Sequence, residues 1–332
     1  MEVLVSVCIT VYNLETYISQ AIEGALMQET NFPFEIIIGD DASIDKTREI
    51  CLSYQKKYPD KIKLVFHEKN VGVARNDISV VKVAQGKYLA WCDGDDYWID
   101  NRKLQKQYEV LENRSDVSLV HTDWVNLCEQ ENKTKETRIK VKDIEKTCYG
   151  LQIIELFVLR ETTGCRFSSC MFRKSYYIEA LENFPDLFLS GHVNNDFAVF
   201  IAMCERGKFF HIPEISTVYR IRKESLSISQ SEEKRFRYSL GYLKLISLIL
   251  IKYNLCENVK NIALRNLLSG LLTYAYDKRL KKEAMEIKSL ADNTKYRLTI
   301  GQRLLYLGSI SYPMNILLKP IVFYKQTKNN HI

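Results

Sequence analysis

The chain has 332 residues, formal net charge +6, nine cysteines, and only 13 glycines and 6 prolines. That length can bury a full core as one large domain or two smaller ones, and the ordinary apolar and charged fractions with few Gly and Pro exclude a disordered or low-complexity chain. The modest, dispersed positive charge gives no nucleic-acid footprint, and no apolar stretch reaches the ~20 residues that cross a bilayer.

The start, Met-Glu-Val-Leu-Val-Ser-Val, carries no basic n-region and does not read as a signal peptide. The cysteine number is odd and no pair has CxxC spacing, which predicts reduced, mostly buried thiols. None of the five histidines pairs with a cysteine in a way that suggests a thiol nucleophile.

In chain order, Val3–Thr10 is an apolar, β-branched run and predicts a strand; Tyr17–Gln28 has helical spacing. Phe34–Gly39 predicts a second strand. Lys46–Tyr58 follows as a helix, entered through the cap-like Ser43 and Asp45. Ile62–Glu68 is a third strand, Val73–Ala84 a helix, Tyr88–Cys92 a fourth strand, Arg102–Asn113 a helix and Ser118–Asn126 a further strand. Strands alternating with helices predict an α/β fold with a mostly parallel sheet flanked by helices on both faces. Ligands of such sheets sit beyond the carboxyl ends of the strands. The polar clusters Thr10-Val11-Tyr12-Asn13, Asp40-Asp41, His67-Glu68-Lys69-Asn70 and Asp93-Gly94-Asp95-Asp96 all fall there.

Cys128–Thr147 is charged and reads as a surface excursion. Ile153–Leu159 and Asn195–Glu205 read as helices, and Phe167–Phe172 as a short apolar stretch. From about Ser231 the pattern is helical, over Phe236–Tyr253, Val259–Tyr276 and Leu280–Leu290. The expected domains are 1–230, with halves 1–127 and 128–230, and a helical C-terminal region 231–332. In that region Ile262, Leu264, Leu267, Leu268, Leu271 and Leu272 form an apolar face. Arg297, Arg303, Lys319, Lys325 and Lys328 flank apolar and aromatic groups, a pattern that rests on anionic membrane surfaces as well as on solvated helix ends.

The acidic cluster carries the most chemistry. Three carboxylates in four residues repel one another, and a divalent cation is the usual remedy. An extended backbone would point Asp93 and Asp95 the same way, with Gly94 letting a ligand approach. Such a pair suits Mg²⁺ or Mn²⁺ shared with substrate phosphates. A solvated acidic turn is the plain alternative. No GxGxxG follows the first strand and no Walker A loop is present, which argues against a dinucleotide or P-loop site.

Four segments occur in the order and spacing of a known family: Val5-Ser6-Val7-Cys8-Ile9-Thr10-Val11-Tyr12-Asn13, Glu35 through Thr47, Asn70-Val71-Gly72-Val73-Ala74-Arg75-Asn76, and Asp93-Gly94-Asp95-Asp96. With them, residues 3–225 resemble a family 2 glycosyltransferase with the GT-A fold, inverting and of the bacterial surface-polysaccharide type. The resemblance implies that Thr10, Tyr12 and Asn13 line a nucleotide pocket, that Asp41 accepts a hydrogen bond from the base, and that Arg75 reaches the nucleotide. It implies that Asp95 is the main ligand of a divalent metal (Mn²⁺ or Mg²⁺), and that Asp93 is its partner or a ribose contact.

Gly191-His192-Val193-Asn194-Asn195-Asp196-Phe197 resembles the family's Glu-Asp helix start, with Asp196 as general base and Asn195 in place of the first acid. Thr162 through Arg173 resembles an acceptor-side segment. Val218 through Ser227 resembles one that closes over the diphosphate, where Arg220, Arg222 or Lys223 would pair with phosphate; many relatives carry a metal-ligating His where Arg222 stands, and arginine cannot ligate.

The implied activity is transfer of a sugar from a nucleotide-sugar, most simply a UDP-sugar, to a hydroxyl of a saccharide or lipid-linked saccharide acceptor in surface polysaccharide synthesis. The implied location is cytoplasmic, with peripheral association at the inner face of the membrane through the C-terminal region. The alternatives are a non-catalytic nucleotide-sugar-binding protein, for which Asn195 and Arg222 leave room, and a sugar-phosphate nucleotidyltransferase, which needs a Gly-rich loop where this chain has Tyr12-Asn13.

Overall fold

The computed structural model describes residues 2–128, 133–137, 150–159, 165–190, 195–222, 231–311 and 313–319. Contacts divide the chain into two compact units: Met1–Leu189 with Asn195–Ile228, and Ser190–Asn194 with Ser229–Ile332.

The first unit begins as a repeating strand–helix pattern: β1 (Val5–Val11), α1 (Ile18–Leu26), β2 (Phe34–Asp40), α2 (Thr47–Lys57), β3 (Ile62–Phe66), α3 (Val73–Val83) and β4 (Tyr88–Asp93). It continues with β5 (Tyr97–Trp98), α4 (Lys103–Asn113), β6 (Val117–Cys128), β7 (Lys133–Thr137), α5 (Leu151–Leu159), a 3₁₀ turn at Phe167–Ser169, and β8 (Met171–Arg173). The last elements are α6 (Lys174–Asn183), α7 (Asp186–Leu189), α8 (Asn195–Cys204) and β9 (Lys208–Ile221).

One sheet takes all nine strands, in the order β3-β2-β1-β4-β8-β6-β9-β5, with β7 on β6. The β3-β2-β1-β4 half is wholly parallel, and Val5, Val7, Cys8 and Ile9 of β1 and Ile36, Ile37 and Ile38 of β2 have no exposed surface. Burial on both faces is why these strands read as unbroken apolar runs.

The second half is mixed. β8 joins β4 and β6 antiparallel, β5 joins β9 antiparallel, and β6 runs parallel to β9. The parallel ladders are the longer ones, so the sheet as a whole is mostly parallel. β8, β9 and α6 were not among the expected elements. The charged stretch after Cys128 is in part a strand, with Lys133–Thr137 paired on β6; residues 129–132 and 138–149 lie outside the described residues.

Two loops do the positioning beyond β1 and β2. Asn13 takes a left-handed conformation, φ 54°, and its amide donates to Ser43 Oγ at 2.9 Å. The Ile44 amide returns a bond to Asn13 Oδ1 at 2.9 Å. Ser43 thus ties two loops together rather than capping α2, whereas Asp45 does accept from the Thr47 amide at 3.0 Å.

Beyond β4 the backbone turns, closed by a bond from the Asp96 amide to Asp93 O at 2.9 Å. Asp93 and Asp95 therefore do not alternate along an extended strand. Gly94 has a different purpose from the one expected: a Cβ there would stand 2.3 Å from Val11 Cγ1 and 3.0 Å from Thr10 O. It lets the turn press against the end of β1, not a ligand against the backbone.

The second unit contains α9 (Glu232–Lys252), α10 (Glu257–Asp277), α11 (Lys281–Asn293) and α12 (Ile300–Ile310). Leu264, Leu268, Leu271 and Leu272 of α10 are buried, while Ile262 is exposed and Leu267 half-buried. α12, which was not expected, opens with a reciprocal capping box between Thr299 and Gln302. Among the described residues no helix is long and apolar enough to cross a membrane.

Candidate functional site

The site grows from the carboxyl ends of β1, β2 and β4 and the start of α8. Thr10 ends the paired stretch of β1 opposite Asp93 of β4. Tyr12, just beyond β1, is 46% exposed. Asp41 is buried, and both its oxygens accept backbone bonds, from the Val71 amide at 2.6 Å and the Gly72 amide at 2.9 Å. It therefore holds the loop that launches α3. Arg75, in the first turn of α3, is exposed and makes no ion pair among the described residues.

The three acids of the β4 turn have separate surroundings. Asp93 accepts from Trp91 Nε1 at 3.2 Å, and its amide donates to Ser168 Oγ at 3.0 Å. Burial and then the negative charges of Asp95 and Asp196 push its carboxyl up to about 7. Asp95 is paired with Arg222, whose Nε and Nη2 both reach Oδ2, at 2.9 and 2.6 Å. Asp96 is 2% exposed; one oxygen accepts from the Arg220 amide at 2.9 Å and the other from Ser168 Oγ at 2.6 Å. Burial, with Asp95 and Asp93 close by, raises it well above the carboxylate range.

The two arginines of the β9 end part company. Arg222 faces the acids. Arg220 is 7% exposed; its guanidinium bonds Gln20 and lies 5.0 Å from the Tyr17 ring and 4.9 Å from the Tyr97 ring. Packed this way, it anchors β9 to α1 and β5, and its backbone amide serves Asp96. Lys223, and the Thr162-Thr163-Gly164 and Gly191–Asn194 parts of the expected motifs, lie outside the described residues.

Asp196 stands in the first turn of α8, where the helix dipole favours an acid. The Phe197 amide donates to its Oδ1 at 2.8 Å. The residue is exposed by surface area yet crowded by protein around its carboxyl. That crowding raises it above the usual range, against the pull of the Phe197 amide and the Arg166 guanidinium. The negative charge of Asp196 lies near enough to contribute to the rise of Asp93.

Several residues of the site escaped sequence reasoning. Asp77 of α3 is 1% exposed, accepts a bond from the Asn195 amide group, and is pushed up to about 8, chiefly by burial. Helical spacing holds the signal that would have found it: Asp77 shares a face with the buried Val80 and Val81. Ser168 bridges Asp93 and Asp96. Arg166 lies 4.0 Å from the Tyr219 ring and 5.4 Å from the Trp124 ring, close enough to act on Asp196.

Among the described residues no group of three or more His, Cys, Asp or Glu side chains is placed to enclose a metal. The donor set nevertheless suits a divalent cation shared with a phosphate ligand. Asp93 carries a surplus of like charge, and the Arg222 pair leaves Asp95 Oδ1 outside it. Hard oxygen ligands in that number fit Mg²⁺ or Mn²⁺ completed by phosphate and water.

The family model for glycosyl transferase family 2 matches residues 6–181, more than half of the chain. The chain belongs to glycosyltransferase family 2. Among curated relatives, this family 2 chain is 43% identical over 108 residues to an uncharacterized protein of Mycobacterium tuberculosis (strain ATCC 25618 / H37Rv), covering 32% of this chain and 31% of the relative. It is 39% identical over 112 residues to the putative teichuronic acid biosynthesis glycosyltransferase TuaG of Bacillus subtilis (strain 168), covering 34% of this chain and 43% of TuaG. The matches thus span about a third to under half of those relatives' lengths.

Among solved structures, S. aureus TarS 1-349 in complex with UDP-GlcNAc shares the fold with a TM-score of 0.55 at 17% identity, over 98% of this chain and 88% of that one. The mannosyltransferase PcManGT from Pyrobaculum calidifontis, in complex with GDP-Man and Mn2+, gives a TM-score of 0.54 at 14% identity, over 96% and 87%. The α/β fold expected from the sequence, GT-A-like with a helical C-terminal region, is the one observed.

Proposed function

We propose that the chain is an inverting glycosyltransferase that moves a sugar from a nucleotide-sugar, most simply a UDP-sugar, to a saccharide hydroxyl. The observation that carries this reading is the family 2 match over residues 6–181, joined to a β4 turn whose Asp95 is held by Arg222 and whose Asp93 is raised in part by the charge of Asp196. Tyr12 offers an exposed ring for the base, and Thr10, Asn13 and the Asp41-held loop frame the nucleotide. Arg75 supplies an exposed cation for it.

Asp95 and Asp93 would hold a divalent metal, which when bound offsets charge on the diphosphate leaving group. Arg222 adds a guanidinium to the same region. Asp196 takes the proton from the acceptor hydroxyl. The acceptor oxygen forms a bond to the anomeric carbon from the face opposite the leaving group, and the bond from that carbon to the diphosphate oxygen breaks with its electron pair. Crowding that raises Asp196 brings its proton affinity closer to the working pH of a base.

The resemblance to TuaG, named for teichuronic acid biosynthesis, and to a poly(ribitol-phosphate) beta-glucosyltransferase 33% identical over 126 residues, supports a saccharide or lipid-linked saccharide acceptor in surface polysaccharide synthesis. Exposed Ile300, Arg303 and Leu307 along α12 support a cytoplasmic protein held peripherally at the membrane face. The test is a panel of nucleotide-sugars with Mn²⁺, read as metal-dependent donor hydrolysis or transfer by the wild type and Asp196→Asn. Turnover lost in the variant with UDP binding retained is the expected result. Turnover retained by Asp196→Asn removes the base from this reading, and UDP binding without any turnover by the wild type favours a binding protein.

A further inference from the structure

We propose that Asp77 is a positioning residue: through Asn195 it ties the start of α8, and so Asp196, to the nucleotide-facing end of β1. The inference rests on Asp196 being the base. Three segments distant in sequence meet at this carboxyl. The Asn195 side-chain amide donates to Asp77 Oδ2, and the Thr10 side chain lies near enough to oppose the rise of the same carboxyl. Asp77 is 1% and Asn195 4% exposed, so water does not compete for the bond, and a buried polar link of this kind is strong and directional.

Apolar packing alone would hold α8 against the sheet, since Ala198, Val199, Ile201 and Ala202 of α8 are buried. Such packing does not set how far the helix start stands from β1. The Asp77–Asn195 bond does, and Asp196 is the next residue. The same bond gives Asn195 its reason: a carboxylate at 195 would bring a second acid onto Asp77 in a dry site, where like charges cannot both ionise. An amide supplies the donor that Asp77 needs.

The experiment is a double-mutant cycle on the full chain with Asp77→Ala, Asn195→Ala and the pair. Each single change should lower kcat by about ten- to a hundred-fold, because misplacing a reacting group by a fraction of an ångström is that costly. Donor KM should stay within about twofold, since the lost interaction orients the base and not the nucleotide. The double variant should be no slower than the worse single, as expected for one shared interaction. The exchanged pair, Asp77→Asn with Asn195→Asp, keeps the shapes and should recover most of the loss; it also serves if the alanine variants fold poorly. Unchanged kcat in the single variants, or losses that multiply in the double, overturns the proposal.

Hydrogen exchange at the Val199 and Phe200 amides reads the link without turnover. Faster exchange in Asp77→Ala supports it and unchanged exchange refutes it. Failure of the functional reading shows elsewhere, as a wild type without transfer or an Asp196→Asn variant that still transfers.

Discussion

Removing Arg222 should have opposite effects on metal and on nucleotide. In the structure both donors of its guanidinium fall on Asp95 Oδ2, at 2.9 and 2.6 Å. The guanidinium carbon lies 5.1 Å from the Tyr17 ring. The paired side chains are 16% and 22% exposed, which sets the pair between a solvent-screened bridge and a buried one, at about 1–2 kcal/mol. A cation binding at Asp95 competes with that pair. Arg222→Ala should therefore tighten Mn²⁺ binding to the nucleotide-free protein by about five- to thirty-fold, at about 1.4 kcal/mol per factor of ten.

For UDP the sign reverses. The diphosphate loses a charge-assisted partner worth about 1.5–3 kcal/mol, so UDP at saturating Mn²⁺ should bind about ten-fold weaker or more. Arg222→Lys keeps the charge without the planar fork and should fall between. Calorimetric titration of Mn²⁺ alone, then of UDP with Mn²⁺ in excess, at a fixed ionic strength, separates the two effects. Mn²⁺ affinity that is unchanged or weaker in Arg222→Ala would show that the pair does not contend with the metal. Unchanged UDP affinity and turnover would remove Arg222 from the donor site.

Two further outcomes are expected. Lys103 has no exposed surface; its Nζ donates to Gln107 Oε1 at 2.7 Å and lies 4.2 Å from the Trp98 ring, and burial lowers it to about 8. The fold thus disfavours its charged form, and between pH 8 and 10.5 the unfolded chain binds more protons, so this group's contribution to stability rises with pH. From pH 7 to 10 the wild type should gain on Lys103→Met by about 2–3 kcal/mol, read by urea melts at each pH; a gap that does not move refutes the linkage. On α12, Ile300 is 75% and Leu307 39% exposed, one helical face apart from Arg303 by three and four residues. Wild-type protein should co-sediment with vesicles containing phosphatidylglycerol, and Ile300→Ser with Leu307→Ser should lose most of that binding; equal binding by both, or none by the wild type, excludes α12 as the contact.

The β1–β4 half of the sheet was legible because its strands are buried on both faces and its helices alternate with them. The chain around β9 was not. Lys208–Ile221 carries Pro213 and the exposed Glu214 mid-strand, and its ladder with β6 is broken by register shifts near Asp123, so neither an alternating nor a continuous apolar pattern survives. β8 has three residues, too few for a period to appear. Near the β4 end, Asp93, Asp95, Asp196 and Arg222 were singled out by motif position, and the structure puts Arg222 on Asp95. Asp41 was singled out too, as a partner of the nucleotide base, but its bonds to Val71 and Gly72 depend on a loop 30 residues away, which no local pattern reveals. Arg220 was read as a phosphate ligand because charge is visible in sequence and the Tyr17–Tyr97 cage around it is not.

The three acids beyond β4 are not equivalent, and their partners say why the turn tolerates them. Asp96 spends both oxygens inside the protein, on the Arg220 amide and Ser168. It joins the turn to β9 and the 3₁₀ segment, and has little left to offer a ligand. Asp95 is balanced by Arg222 through one oxygen. Among the described residues Asp93 has the Trp91 N–H and a share of the Ser168 hydroxyl, which lies closer to Asp96, against the charges of Asp95 and Asp196. The least compensated charge therefore lies on Asp93 and on the second oxygen of Asp95. A divalent cation shared with a phosphate ligand would offset that charge there.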